Sequence, residues 1–332
     1  MTERPRSPVF TGGRVHTGPV RSEAFVLLVE AVEPGLALSE WIGVNRAALV
    51  AELDRHGAVL LRGFAVGTPQ GFGAAARAVS PDLLDYLERA APRTEIAERV
   101  FTSTEAAPEQ SIGFHHEMSY SHNWPGRLYF YGDRPSRTGG ATPVASERDV
   151  YPRIPGEVRS RFLGQGVQYI RNYGPDLDMP WQVVFQTTDR AEVEAYCAAS
   201  GTEFSWSGRD GLHTRAVRRA VARHPRTGET GWFNHAHMWH VSTLPAEVAE
   251  YLLAEFGPDG VPRNACYGDG QPIEDEVIAL IGGLYEQAAV AVPWHRDDVL
   301  VVDNHLAAHA RQPFTGDRRI LVAMSDLHTA DR

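Results

Sequence analysis

Gly113-Phe114-His115-His116-Glu117-Met118-Ser119-Tyr120 is the stretch on which the reading of this chain turns. In an extended backbone, residues i and i+2 face the same side. His115 and Glu117 then direct an imidazole and a carboxylate at one point, while His116 faces away. Two ligands do not close a metal site. A third candidate, His309, stands in Val301-Val302-Asp303-Asn304-His305-Leu306-Ala307-Ala308-His309-Ala310-Arg311. A pair on one strand plus a distant histidine makes a two-histidine, one-carboxylate face. That face leaves metal positions open, as in non-haem Fe(II) oxygenases. One His-x-Glu among 14 histidines is also an ordinary pairing of side chains, so the rest of the chain has to carry the reading.

The chain has 332 residues, 43% of them hydrophobic, enough for one large core. Residues 1–332 are read as a single domain, with 1–25, containing Gly, Pro and Ser, as an irregular lead-in. A net charge of −10 with scattered basic residues argues against nucleic-acid binding. The two cysteines, Cys197 and Cys266, make no disulfide framework and fit a reducing cytoplasm. No apolar h-region follows the charged start, and no run of about 18 apolar residues suggests a membrane span.

Ala47 to Leu53 reads as a short helix stopped by Gly57, and Ala58-Val59-Leu60-Leu61-Arg62 as a buried strand. Pro69 to Val79 is helix-like. Arg127-Leu128-Tyr129-Phe130-Tyr131 and Gly166 to Tyr173 are strands. Asp189 to Ala199 is a helix with Asp189 as N-cap and Glu192 placed for a capping box. Leu244 to Phe256, with Pro245 in its first turn, and Ile273 to Ala289 are further helices. Asp298 to Asp303 and Arg319 to Met324 are late strands. Strands spread through the middle and end do not alternate as βαβ units; they suit a jelly roll with helical decoration.

Two stretches stay ambiguous on local grounds. Gly139-Gly140-Ala141-Thr142-Pro143 is a turn entering a strand, where Thr142 could present a hydroxyl to an anion. His235 and His237 could pair at a metal, but no carboxylate accompanies them, and a pocket wall or packing role is favoured.

With Phe114 to Tyr120, Gly139 to Pro143, Gly231-Trp232-Phe233-Asn234, Tyr267-Gly268-Asp269-Gly270 and Val302 to Met324 in order, the chain resembles the Fe(II)/2-oxoglutarate-dependent dioxygenases of the taurine dioxygenase and clavaminate synthase superfamily, in its syringomycin-hydroxylase-like branch. The resemblance covers roughly residues 45 to 325. It implies an α+β fold: a double-stranded β-helix, or jelly roll, with flanking helices. It implies His115, Glu117 and His309 as iron ligands. It also implies Thr142 and an arginine of the last strand, Arg318 or Arg319, as the anchor of the 2-oxoglutarate distal carboxylate. Adjacent side chains on a strand oppose each other, so one of the two should face the pocket; Arg318 is preferred because relatives carry Arg-x-x-x-Arg from that position. The second arginine of that pattern is Val322 here. The usual His-Gly-Arg is His309-Ala310-Arg311, and a frequent Gly-Asp is Asp297-Asp298.

The implied cosubstrates are 2-oxoglutarate and O2. The implied reaction is hydroxylation of an unactivated C–H bond in an amino-acid-derived substrate of specialised biosynthesis, free or carrier-tethered. Desaturation, cyclisation and epoxidation are alternatives within the same chemistry. Glu117 argues against halogenation, since radical halogenases of this kind lack the carboxylate ligand. A zinc hydrolase using the same triad would leave Thr142 and the arginine without a role. A silent jelly-roll binding protein would not need all three ligands and an anion anchor.

Overall fold

A computed structural model describes residues 10–330, apart from 23, 87, 89, 175–177 and 209. Its centre is two sheets stacked face to face. The larger runs, in spatial order, Val15–Pro19, Leu27–Ala31, Ala58–Arg62, Val299–Asp303, Asn123–Arg134, Arg319–Thr329, Val100–Thr102 and Glu95–Ala97. The smaller runs Val290–Val292, Thr142–Ser146, Ala307–Arg311 and Ile112–His115. All pairings in both are antiparallel except that of Leu27–Ala31 with Ala58–Arg62. The expected double-stranded β-helix is therefore present, with helices around it.

Period-2 burial explains why these strands stack. Ala58, Leu60, Leu300, Val302, Ile320 and Val322 of the large sheet pack against Val144, Ala307 and Val292 of the small one. The intervening Val59, Leu61, Val299, Val301, Leu321 and Ala323 face the helices Leu38–His56 and Pro69–Val79. Burying each Val or Leu side chain contributes about 1.5–3 kcal/mol, so shifting one strand by a residue would exchange its whole apolar set. Val322, at the place of the second arginine that the resemblance implies, is in the inter-sheet core. A third sheet, Glu203–Ser207, Gly211–Arg218, Val167–Tyr173 and Arg263–Tyr267, lies outside this sandwich.

Several boundaries differ from expectation. The first helix is Leu38–His56, much longer than Ala47–Leu53; its N-cap Ala37 supplies no side-chain cap, so no start signal marks it. It stops as expected at Gly57, whose φ of 76° is left-handed and whose N–H donates to the Leu53 carbonyl. The lead-in is not wholly irregular: Val15–Pro19 is an edge strand ordered by its pairing with Leu27–Ala31, and Pro19 stands at its last position. Asp189 caps Arg190–Ser200 through Ala191 N–H, but its own N–H donates to Thr187 Oγ1, so the capping box is not closed through Glu192. The helix from Ala246 bends at Gly257, next to Phe256 where it was expected to stop.

Candidate metal and cosubstrate site

The smaller sheet aims the chemistry. Val144 and Ala307 point between the sheets, so by strand parity Thr142 and His309 do too. Across the strand pair, His309 is directly opposite His115, their rings 4.2 Å apart. One residue is inserted on the His115 strand before the next pairing, Arg311 with Ile112; such bulges re-aim side chains beside sites.

The expected extension of the strand through Glu117 does not occur. The strand ends at His115, and Met118 takes a left-handed φ of 58°. The turn still brings Glu117 Oε2 to 3.8 Å from His309 Nε2. One ligand atom from each of His115, Glu117 and His309 lies within 4.8 Å of the others. His116 points away: Nδ1 meets the Asn304 carbonyl at 2.6 Å and Nε2 meets Glu147 at 2.9 Å.

The donor set fits a divalent iron. His115 Nδ1 must donate to the Gly113 carbonyl, 2.9 Å away, which leaves Nε2 with its lone pair. Burial, the largest influence, outweighs the pull of Glu117 and lowers the His115 pKa. Burial, then His115, holds His309 well below the usual histidine range. Burial pushes Glu117 up, yet Arg93, His115 and the Tyr86 and Arg93 hydrogen bonds bring it below the ordinary carboxylate range. Neutral imidazoles and an ionised carboxylate are what metal binding requires.

Sequence reading missed the groups that hold Glu117. Tyr86 Oη donates to Oε1 at 2.6 Å, and Arg93 Nη2 donates to both oxygens at 3.0 Å. Asn304 accepts from Glu117 N–H at 2.8 Å and donates to the Glu117 carbonyl at 2.9 Å. The phenol anchors Oε1 and the guanidinium spans both oxygens, with Oε2 on the histidine side. Partners of metal ligands are typically worth 10–100-fold in affinity. Tyr86→Phe is therefore expected to weaken Fe(II) binding by about tenfold, measured by anaerobic titration, with little change in folding; an unchanged affinity would remove Tyr86 from this role.

Beside His115 and His309 lies a cavity lined by Thr142, Arg311 and Arg318 that has no carboxylate among its described lining residues. Arg311 spends its Nη1 and Nη2 donors on the Ala106, Ala107 and Gln110 carbonyls. Among the described residues Arg318 hydrogen-bonds the Gly140 carbonyl, through Nε alone. Burial, then Arg311, pushes Arg318 down to about 10; an entering anion would relieve both influences. Trp294 Nε1 donates to Thr142 Oγ1 at 3.0 Å, which leaves the threonine hydroxyl hydrogen to donate elsewhere. Arg319 is turned away: a register shift after it places Nε 2.5 Å from Asp133 Oδ2 on the outer side. The residue that lines the cavity, Arg318, stands just before the last strand rather than in it.

Thr142→Ala is expected to raise the 2-oxoglutarate requirement by about tenfold, the worth of one hydrogen bond to a charged group at ~1.5–3 kcal/mol. Thr142→Ser should restore most of it. A half-saturation titration of the three proteins decides; equal values would exclude the hydroxyl as an anchor.

On the other side of His115 and Glu117 opens a chamber of about 490 Å³. His235 and His237 are in its wall, as favoured from the sequence. His235 Nδ1 is 2.6 Å from Ser119 Oγ, and His237 Nε2 is 2.8 Å from the Phe114 carbonyl. Burial, then His115, holds His235 far below the usual range; burial lowers His237 to about 4. A second cluster, Asp54, His224 and Asp303, also brings its ligand atoms together. There His224 Nδ1 accepts from Arg226 and Thr227 N–H, so Nε2 carries the proton that goes to Asp303. The Arg226 guanidinium already bonds Asp54, so this is an ion-pair cluster and not a metal site.

Residues 22–324 match the family described as taurine catabolism dioxygenase TauD, TfdA family. The chain is 36% identical over 274 residues to dapdiamide synthesis protein DdaC of Enterobacter agglomerans, covering 82% of this chain and 83% of that protein. It is 32% identical over 308 residues to a clavaminate synthase-like protein of Arabidopsis thaliana, covering 88% and 89%. Among solved structures, PvcB, an Fe, alpha-ketoglutarate dependent oxygenase from an isonitrile synthetic pathway, superposes with a TM-score of 0.54 at 18% identity, covering 96% of this chain and 94% of that one. That likeness is one of fold.

Proposed function

This chain belongs to the taurine catabolism dioxygenase TauD, TfdA family, an oxidoreductase family using Fe(II), 2-oxoglutarate and O2, and on that premise we propose that it hydroxylates an unactivated C–H bond of an amino-acid-derived intermediate, free or carrier-tethered, in specialised biosynthesis. His115, Glu117 and His309 are its iron ligands, and Arg318 with Thr142 anchors 2-oxoglutarate. The observation that carries this reading is the convergence of the three ligand atoms beside a cationic cavity with no carboxylate among its described lining residues. The similarity to dapdiamide synthesis protein DdaC supports the biosynthetic setting.

When bound, iron and 2-oxoglutarate with O2 supply the oxidising power for C–H cleavage, and 2-oxoglutarate leaves as succinate and carbon dioxide. The protein's part is position. The sheet register fixes His309 against His115. Tyr86 and Arg93 hold Glu117 so that one oxygen faces the histidines. The cosubstrate cavity and the chamber meet at His115 and Arg93, which line both. A substrate seated in the chamber therefore reaches the metal from the side opposite the anion anchor, and its placement selects hydroxylation over desaturation, cyclisation or epoxidation.

No helix among the described residues is long and apolar enough to cross a membrane. The test is mass spectrometry of candidate amino acids and biosynthetic intermediates incubated with the protein, Fe(II), ascorbate, 2-oxoglutarate and O2. Gain of one oxygen atom is expected; loss of two hydrogens would assign desaturation instead.

A further inference from the structure

Arg263 stands in the chamber wall away from the triad. Ring contacts lead to it: His115 to His235 at 5.5 Å, His235 to Trp239 at 6.0 Å, and the Arg263 guanidinium over the Trp239 ring at 5.3 Å. It is the first residue of Arg263–Tyr267, and across the strand pair it faces Arg171. Like charges placed directly opposite repel. Asp178 answers both: it accepts from Arg171 Nε at 2.9 Å, and from Arg263 Nε and Nη2 at 2.7 Å each. Arg263 Nη2 also donates to the Ala90 carbonyl at 2.6 Å.

These bonds use Nε and both hydrogens of Nη2 and fix the plane of the Arg263 guanidinium, leaving Nη1. Nη1 donates to no described residue; the side chain is 25% exposed and lines the chamber. A guanidinium clamped through Nε and Nη2, with Nη1 left to donate, is preorganised for an oxyanion, because its ordering precedes binding. The rest of the described lining holds one carboxylate, Glu117, whose oxygens are engaged by Tyr86 and Arg93. The chamber thus presents a fixed donor for an anion and no uncommitted described carboxylate for an ammonium group.

We infer that Arg263 receives a carboxylate of the organic substrate, at the end remote from the oxidised carbon, and so selects acids over the matching amides and amines. This rests on reading His115, Glu117 and His309 as the iron face. It is a site separate from the Arg318 cavity, so substrate and cosubstrate each have their own guanidinium. Binding energy gathered at a remote carboxylate positions the reacting carbon.

The test uses hexanoate, hexanamide and hexylamine as probes of equal length. The full chain is loaded anaerobically with Fe(II) and 2-oxoglutarate, and the visible charge-transfer band of the chelate is followed as each probe is added. In the wild-type protein, hexanoate should perturb the band at concentrations about tenfold or more below hexanamide, and hexylamine should have no effect. Arg263→Gln should form the same band and lose the preference; Arg263→Lys should keep part of it. Equal responses to hexanoate and hexanamide overturn the inference on the wild type alone, whatever the variants do. A preference that survives Arg263→Gln, or that vanishes as 2-oxoglutarate is raised, also overturns it, because hexanoate would then be held elsewhere. Absence of the band before any probe is added would instead sink the iron and 2-oxoglutarate assignment itself.

Discussion

His115→Ala, Glu117→Ala and His309→Ala are each expected to lose Fe(II) affinity by more than two orders of magnitude, while His116→Ala retains it. Even the partners of metal ligands are worth 10–100-fold, and a three-ligand face has no spare donor. His116 is the discriminating control because it is adjacent in sequence and chemically identical. Its two nitrogens face Asn304 and Glu147, away from the triad. His116→Ala has its own cost. Glu147 also accepts from Tyr285 Oη and Trp232 N–H, and losing His116 leaves this buried carboxylate one partner short. A penalty of ~1–3 kcal/mol in stability follows, so affinity must be compared at a temperature where the variant is folded. Iron titration together with thermal unfolding separates the two effects. Retained iron in His115→Ala with loss in His116→Ala would reverse the ligand assignment.

Arg318→Ala is expected to raise the 2-oxoglutarate requirement a hundredfold or more and to leave Fe(II) affinity without cosubstrate nearly unchanged. The distal carboxylate must shed its water to enter a cavity between two sheets, and burial of an unpaired charge is costly. Removing one partner of a buried pair costs about 3–5 kcal/mol, and each ~1.4 kcal/mol is tenfold. Arg318→Lys should recover only part, since an ammonium lacks the planar fork. Arg319→Ala should be mild, because its partner Asp133 is on the outer side. If Arg319→Ala cripples cosubstrate binding and Arg318→Ala does not, the anchor is wrong.

What the sequence reveals and conceals follows the range of the interactions. Parity at His115-His116-Glu117 needs only neighbouring residues, and the turning away of His116 is legible from it. Even there, the strand stops at His115 and a turn completes the placement. The buried strands Ala58–Arg62 and Val299–Asp303 are legible because their apolar runs are continuous. The choice between Arg318 and Arg319 is only half legible. Opposition of neighbours is local, but the register shift that carries Arg319 to Asp133 depends on the Asn123–Arg134 strand far away in sequence. Tyr86 and Arg93 carry no signal at all, and nothing local marks Asn304, within the quoted histidine stretch, as a partner of Glu117. The three reach Glu117 across 31, 24 and 187 residues, the first two from a segment without a motif. Arg263 is hidden for the same reason, since its meaning comes from Asp178 and Trp239.

We propose that His115, Glu117 and His309 hold the iron at which 2-oxoglutarate is turned over. Succinate formation from 2-oxoglutarate in the presence of Fe(II) and O2 tests it most directly, with the wild-type protein beside Glu117→Ala and His309→Ala. Succinate is expected from the wild type only, dependent on both iron and oxygen and lost when Zn(II) replaces iron. Succinate at wild-type levels from either variant, or turnover of a substrate with Zn(II) and no succinate, would contradict it.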